Sequence, residues 1–211
     1  MIITHYGKQF FKIQLGDTTL AFNPISKDSK LKEKPARFGA DVVFITTNHP
    51  DYNGIETVTY GDKEPFIIDG PGSYEVNGTY IKALQSETEI DGTPYINTIY
   101  NLEFDGMSIL FLGHLVSKEI PSAVREEIEK ADIVFVPIGG KNTLEPLVAH
   151  KLAIGFEPSI IIPMDYGNDQ EKDALQQFMK EGGDDSQNVD KLTVKQKDLE
   201  TYKGGIVAIS S

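Results

Sequence analysis

His49 and Asp51 stand two positions apart in the stretch Thr46-Thr47-Asn48-His49-Pro50-Asp51-Tyr52-Asn53-Gly54, directly after the apolar run Val42-Val43-Phe44-Ile45. An imidazole nitrogen and a carboxylate oxygen are donors that a catalytic divalent metal accepts. They are also the groups that general acid–base chemistry uses. The apolar run reads as a buried strand, so both side chains fall at its C-terminal edge. Loops leaving strand ends converge at such edges, and ligands collect there.

The elements that must hold this pair belong to a chain of 211 residues, long enough for one domain with a large core. Hydrophobic residues make up 39% and charged residues 25%, the balance of a soluble globular protein. The 20 basic and 32 acidic residues leave a net charge of −12, which disfavours nucleic acid and anionic lipid as partners. No basic run offsets it: Lys27, Lys30, Lys32 and Lys34 alternate with Asp28 and Glu33, as in a solvated loop. The absence of cysteine excludes disulfides, thiolate nucleophiles and Cys-ligated zinc. Met1 to Phe11 lacks the pattern of a signal peptide, and no apolar run approaches the ~20 residues of a membrane span. A cytoplasmic protein with a small-molecule substrate is expected.

The first half reads as strands and turns. Ile2–Tyr6, Phe10–Leu15 and Thr18–Phe22 are β-type runs separated by Gly7-Lys8 and Gly16-Asp17. After the polar stretch Ser26–Phe38 come strands at Val42–Thr46, Phe66–Ile68, Tyr74–Val76, Thr79–Leu84, Thr98–Phe104 and Met107–Leu112, with hairpin signals at Asn77-Gly78 and Asp105-Gly106. Helices enter later. Ser122 can cap a helix to Lys130, apolar spacing predicts another over Leu144–Phe156, and Asp169–Lys180 is amphipathic and closed by Gly182-Gly183. Strands are expected at Ile133–Val136, Ser159–Pro163, Leu192–Val194 and Gly205–Ile209, with a polar loop over Gly183–Val189. Strands first, then alternation with helices, give a single α+β domain over residues 1–211.

Several segments together resemble one branch of the metallo-β-lactamase superfamily, the small single-domain hydrolases related to the ascorbate-phosphate lactonases. Thr47 to Tyr52 resembles that superfamily's His-x-His-x-Asp-His motif, with Thr47 and Tyr52 replacing the first and last His. Ile3 to Ile13 is similar to its opening strand pair, with Lys8 replacing a His. Phe22-Asn23-Pro24, Gly70-Pro71-Gly72-Ser73-Tyr74-Glu75, Asn97-Thr98-Ile99, Leu112-Gly113-His114, Pro137-Ile138-Gly139-Gly140 with Thr143, and Ile162-Pro163-Met164-Asp165-Tyr166 follow in the same order. The resemblance covers nearly the whole chain. It implies an αββα sandwich, two facing sheets with helices outside, and a site at one edge between the sheets.

Carried over by position, the resemblance implies metal ligands among His49, Asp51, His114 and Asp165, the last two standing at the bridging-Asp and final-His positions. Glu87, near the middle His, is a further possible oxygen donor. The implied cofactor is one divalent metal at most, zinc by its donor set, which would lower the pKa of bound water to ~7. Asp51 would then orient that water or act as base, and His114 or Lys8 would stabilise the oxyanion, on a small ester, lactone or phosphodiester. The other reading is a module that has lost its metal, with Asp51 and Asp165 accepting hydrogen bonds from His49, His114 or Tyr52. Lys8 is expected mainly as a solvated turn residue, His5 as a surface or cross-strand residue, His150 as a helix residue, and Tyr74 and Glu75 as turn-formers. Gly139-Gly140 either offers N–H groups to an anion or only permits the turn.

Overall fold

The structure is a computed structural model and describes residues 1–31, 36, 38–62, 64–128, 130–166 and 173–211. Lys32 and Lys34 of the expected loop, and the start of the helix expected from Asp169, lie outside the described residues.

The chain begins with the antiparallel strands β1 (Ile2–His5), β2 (Phe11–Leu15) and β3 (Thr18–Phe22), then adds β4 (Val42–Phe44) and β5 (Phe66–Ile68) in parallel to β3. A meander follows: β6 (Gly72–Val76), β7 (Thr79–Ile90), β8 (Thr93–Phe104) and β9 (Met107–Phe111). Asn77, Asp91 and Asp105 take positive φ just before Gly78, Gly92 and Gly106, the conformation that two-residue hairpin turns demand. The second half runs α1 (Ser122–Glu127), β10 (Ile133–Pro137), α2 (Pro146–Ile154), β11 (Ile160–Met164), α3 (Ala174–Glu181), β12 (Gln187–Val189), β13 (Leu192–Thr193), α4 (Leu199–Tyr202) and β14 (Gly205–Ile209). β9, β10, β11, β14 and β12 are parallel, each fully buried central strand reading as one apolar run.

These strands form two sheets, ordered β13-β1-β2-β3-β4-β5 and β12-β14-β11-β10-β9-β8-β7-β6. Their inner faces interdigitate through Ile3, Phe11, Phe22 and Phe44 on one side and Tyr100, Ile109, Phe111 and Phe135 on the other. The outer face of the larger sheet, with Leu110, Val134 and Ile161, is covered by Val124 of α1, Ala149 and Ala153 of α2 and Phe178 of α3. The outer face of the smaller sheet packs Phe10, Ala21, Val43 and Ile45 under Ala36, Ala40 and Val58. That layer is thin: among the described residues it holds a 3₁₀ turn at Ile55–Thr57. The result is the expected α+β sandwich of the αββα type.

One feature fixes where chemistry can occur. β3, β4, β9 and β11 all end at the same edge, and Thr98 N–H of one sheet donates to Thr46 O of the other there at 2.8 Å. The buried Tyr100 hydroxyl lies 2.7 and 2.8 Å from the carbonyls of Ile45 and Ile68, tying the larger sheet to two strand ends of the smaller.

Candidate functional site

Asp165 is the hub of this edge. It follows β11, is 1% exposed, and adopts φ 61°, a left-handed conformation that Asp tolerates better than most residues. Its Oδ1 lies 2.5 Å from the Lys8 ammonium. Its Oδ2 accepts from Gln9 Nε2 at 2.9 Å and from the Tyr52 hydroxyl at 3.4 Å. His114 Nε2 stands 3.9 Å from the same oxygen. Burial alone would raise the Asp165 carboxyl pKa; the Lys8 ammonium and His114, with hydrogen bonds from Lys8 and Gln9, reverse this and hold it below the usual carboxylate range.

His114 follows β9 and is buried. Its Nδ1 pairs with the Thr88 hydroxyl of β7 at 2.9 Å. With the ring proton on Nε2, Thr88 donates and the N–H faces Asp165. Burial lowers the His114 pKa, Lys8 and His49 add to that against the pull of Asp165, and the ring is neutral near pH 7. Its backbone N–H donates to Asn97 Oδ1 at 2.8 Å, while Asn97 Nδ2 donates to Ser86 Oγ and Leu112 O. The residue before it must be glycine. Gly113 has φ 65°, and a Cβ there would sit 2.3 Å from Asn97 Oδ1 and 2.8 Å from Thr46 Cβ.

A second layer fixes the first. Asn23, at φ 46°, donates to Gln9 Oε1 at 2.9 Å and Thr46 Oγ1 at 2.8 Å, and accepts from Thr46 N–H. Lys8, at φ 51°, accepts the Asp165 backbone N–H at 2.8 Å, and its carbonyl also lies 3.1 Å from His5 Nε2. The same His5 ring stacks on its cross-strand partner Phe11 at 4.4 Å and reaches Ile209 O through Nδ1. So the cross-strand expectation for His5 describes a buried ring.

His49 and Asp51 form a separate pair, 3.8 Å apart. Asp51 accepts the Ser29 hydroxyl at 2.5 Å and is turned toward that loop. Tyr52 stands between the two pairs, with ring centroids 6.1 Å from His49 and 5.4 Å from His114. The structure thus brings His114 to Asp165 and His49 to Asp51, and links the pairs through an aromatic ring. Among the described residues no group of three or more His, Asp or Glu is arranged to hold a metal ion. Catalytic zinc takes about three protein ligands, so the donor set among the described residues does not fit a resident metal.

One expectation is corrected, and two open readings are narrowed. Lys8 is no solvated turn lysine: its side chain is 12% exposed and lies against Asp165. Glu87, a possible oxygen donor by its position, is exposed on β7 and belongs to no metal-holding group among the described residues. The N–H groups of Gly139 and Gly140 are taken by Thr143 Oγ1 and Leu144 O, so that loop is a turn and no anion nest. Tyr74 fixes a turn as expected, its hydroxyl donating to Gly70 O at 3.0 Å. Helix residue His150 packs edge-on against Phe178. Gln9, Thr88 and Asn97 are site residues for which the sequence assigned no role. The one signal for Thr88 is a polar pair, Ser86 and Thr88, on the strand face of Leu84, opposite Ile81 and Ala83.

Beside Thr88 and the His114 loop lies a groove of about 950 Å³, lined by Thr88, Tyr95, Ile96, Leu115 and Val116 and edged by Glu87, Glu89 and Glu119. That volume suits a small molecule.

With this geometry in place, the family model of the β-lactamase superfamily domain matches residues 2–165. The chain belongs to the β-lactamase superfamily. It is 22% identical over 197 residues to a metal-dependent hydrolase of Anoxybacillus flavithermus, covering 79% of this chain and 86% of that protein. A metal-dependent hydrolase of Lysinibacillus sphaericus is 23% identical over 194 residues, covering 79% and 85%. A Thermotoga maritima structure assigned to the Zn-dependent hydrolases of the metallo-β-lactamase superfamily superposes with a TM-score of 0.75 at 27% identity, covering 99% of this chain and 97% of that one. Among the described residues no helix is long and apolar enough to cross a membrane.

Proposed function

We propose that this protein is a hydrolase-type member of its superfamily acting on a small ester, lactone or phosphodiester, with a reduced site of at most one divalent metal per chain. The observation that carries this reading is the order Thr88 hydroxyl, His114 imidazole, Asp165 carboxylate, with Thr88 lining the groove and the other two buried behind it. A neutral imidazole between a hydroxyl and a carboxylate is the arrangement that moves protons in hydrolysis. Thr88 lines the groove and connects it to His114, which takes the proton of the attacking hydroxyl or water. Asp165 stabilises the imidazolium that forms. The Lys8 ammonium adds fixed positive charge on the far side of that carboxylate. Glu87, Glu89 and Glu119 oppose an anionic ligand, which ranks uncharged esters and lactones above phosphodiesters. The net charge of −12 argues likewise against nucleic acid, and a cytoplasmic location fits the cysteine-free composition.

The relatives named metal-dependent hydrolases support a metal as the ancestral cofactor, and zinc is the identity we propose wherever one is held. The residues for it here would be His114 and Asp165, with His49 and Asp51 beyond Tyr52. That set falls short of a full ligand set, and no catalytic step is assigned to it. A second reading has its own support: both oxygens of Asp165 already accept from this chain's own donors, as in a binding module without turnover.

Turnover of chromogenic esters, lactones and phosphodiesters separates the two. The hydrolase reading expects ester or lactone cleavage that His114→Ala lowers at least tenfold with the fold intact. Equal rates for parent and variant would remove it.

A further inference from the structure

We propose that the Lys8 ammonium is the resident cation of this cleft, seated on Asp165 in place of a metal ion and closing the site electrically. The inference rests on reading this edge as the superfamily's catalytic cleft. Asp165 stands in the segment that resembles the final metal-ligand position, yet the group bonded to its Oδ1 is an amine of the same chain.

Four observations carry it. Lys8 grips Asp165 twice, through Nζ on Oδ1 at 2.5 Å and through its carbonyl on the Asp165 backbone N–H at 2.8 Å. Both residues sit at left-handed φ, 51° and 61°, a conformation that costs a side-chain-bearing residue free energy and persists where surrounding contacts enforce it. The remaining Asp165 oxygen accepts from Gln9 and Tyr52, and Gln9 is held by Asn23, so both carboxylate oxygens are engaged from within the chain. Finally, the buried carboxylate is paired with an ammonium, as burial of a charge requires. A divalent ion bonded to Asp165 would stand beside that ammonium, and like charges in a water-poor site exclude one another. Metal entry therefore requires Lys8 to leave.

Lys8 is accordingly a positioning residue. It fixes the carboxylate toward which His114 Nε2 points, and its removal should open a cation seat.

The test compares wild type, Lys8→Ala, Lys8→Met and the double variant Lys8→Met/Asp165→Asn by thermal unfolding and equilibrium dialysis against zinc, with turnover measured separately. Wild type should retain under a tenth of a zinc per chain, and its Tm should not change with zinc, EDTA or ethylammonium chloride. Lys8→Ala should melt lower and regain stability with ethylammonium, which refills the vacated seat, more than with sodium at equal ionic strength. The double variant, neutral at both positions, should recover most of the stability lost by Lys8→Met alone. A wild type that holds one zinc and melts higher with it would overturn the proposal. So would a Lys8→Ala protein as stable as wild type. If Lys8→Ala does not fold, a double variant no more stable than Lys8→Met overturns it as well. None of these readouts uses substrate, so failure here leaves the hydrolase reading to the turnover assay.

Discussion

Replacing Lys8 by methionine keeps most of the stem and deletes the charge. Asp165 is 1% exposed and the Lys8 side chain 12%, so the carboxylate would be left in a site with little water. Removing one partner of a buried ion pair costs about 3–5 kcal/mol. The partial exposure of Lys8 and the surviving bonds from Gln9 and Tyr52 place the loss near the lower end, about 3 kcal/mol. Against a typical stability of about 5–15 kcal/mol this is a large change. The pH dependence has a definite sign. In the parent the Asp165 pKa is depressed, so the pair's contribution is present above ~3.9 and lost as pH falls through the folded pKa. In the variant burial acts without the ammonium and raises that pKa, so the penalty is greatest at neutral pH and shrinks as the carboxyl takes up a proton. Urea unfolding at pH 7, 5.5 and 4 should show the midpoint difference narrowing with acid at unchanged slope. A loss below about 1 kcal/mol at pH 7, the range of an exposed pair, would refute the reasoning. So would a difference that ignores pH.

Gly113→Ala should destabilise by more than about 2 kcal/mol, because φ 65° and the Asn97 contact penalise the added methyl together; a Tm within a degree of the parent would contradict this. Tyr100→Phe should cost about 1–3 kcal/mol in urea unfolding, since the carbonyls of Ile45 and Ile68 lose the hydroxyl that joins the sheets. His114 has a pKa lowered first by burial, so the stability it contributes is present above ~6.5 and lost as pH falls; His114→Gln should flatten the stability profile between pH 7 and pH 5, and an unchanged slope would speak against a buried neutral ring. The fourfold variant Thr47→His, Tyr52→His, His114→Asp and Asp165→His also removes the partner of Lys8, and equilibrium dialysis should show more zinc taken up than by the parent, with stability lost without metal and recovered with it. Uptake no greater than the parent's would remove the positional correspondence.

Most strand positions were legible because their apolar runs are short, β-branched and bounded by Gly, Asn or Asp. β7 and β8 were expected as Thr79–Leu84 and Thr98–Phe104, but run to Ile90 and start at Thr93. The added segment is polar, Gln85 to Glu89, and is a strand because Thr98 to Pro94 pair with it; local pattern carries no record of that partner. Gln187–Val189 has the polar pattern of a loop for the same reason, and is an edge strand held by β14. α1 ends at Glu127, short of Lys130, with Ile128 turned into the core in extended conformation. In the site, His114 and Asp165 were visible as polar residues ending apolar strands. The role of Lys8 was not. A lysine after glycine in a turn carries the local signature of a solvated residue, and its partner lies 157 positions away. Long-range charge pairing of this kind is set by tertiary structure, and spacing rules do not reach it.

The most direct measurement is a crystal structure of the unaltered protein grown with zinc, with anomalous data collected at the zinc edge. The account predicts Lys8 Nζ within hydrogen-bond distance of Asp165 and no anomalous peak within ~2.5 Å of Asp165 Oδ2 or His114 Nε2, a radius that takes in the ordinary ~2.0–2.2 Å zinc bonds. A zinc ion ligated by both, with the Lys8 side chain swung out to solvent, would contradict it.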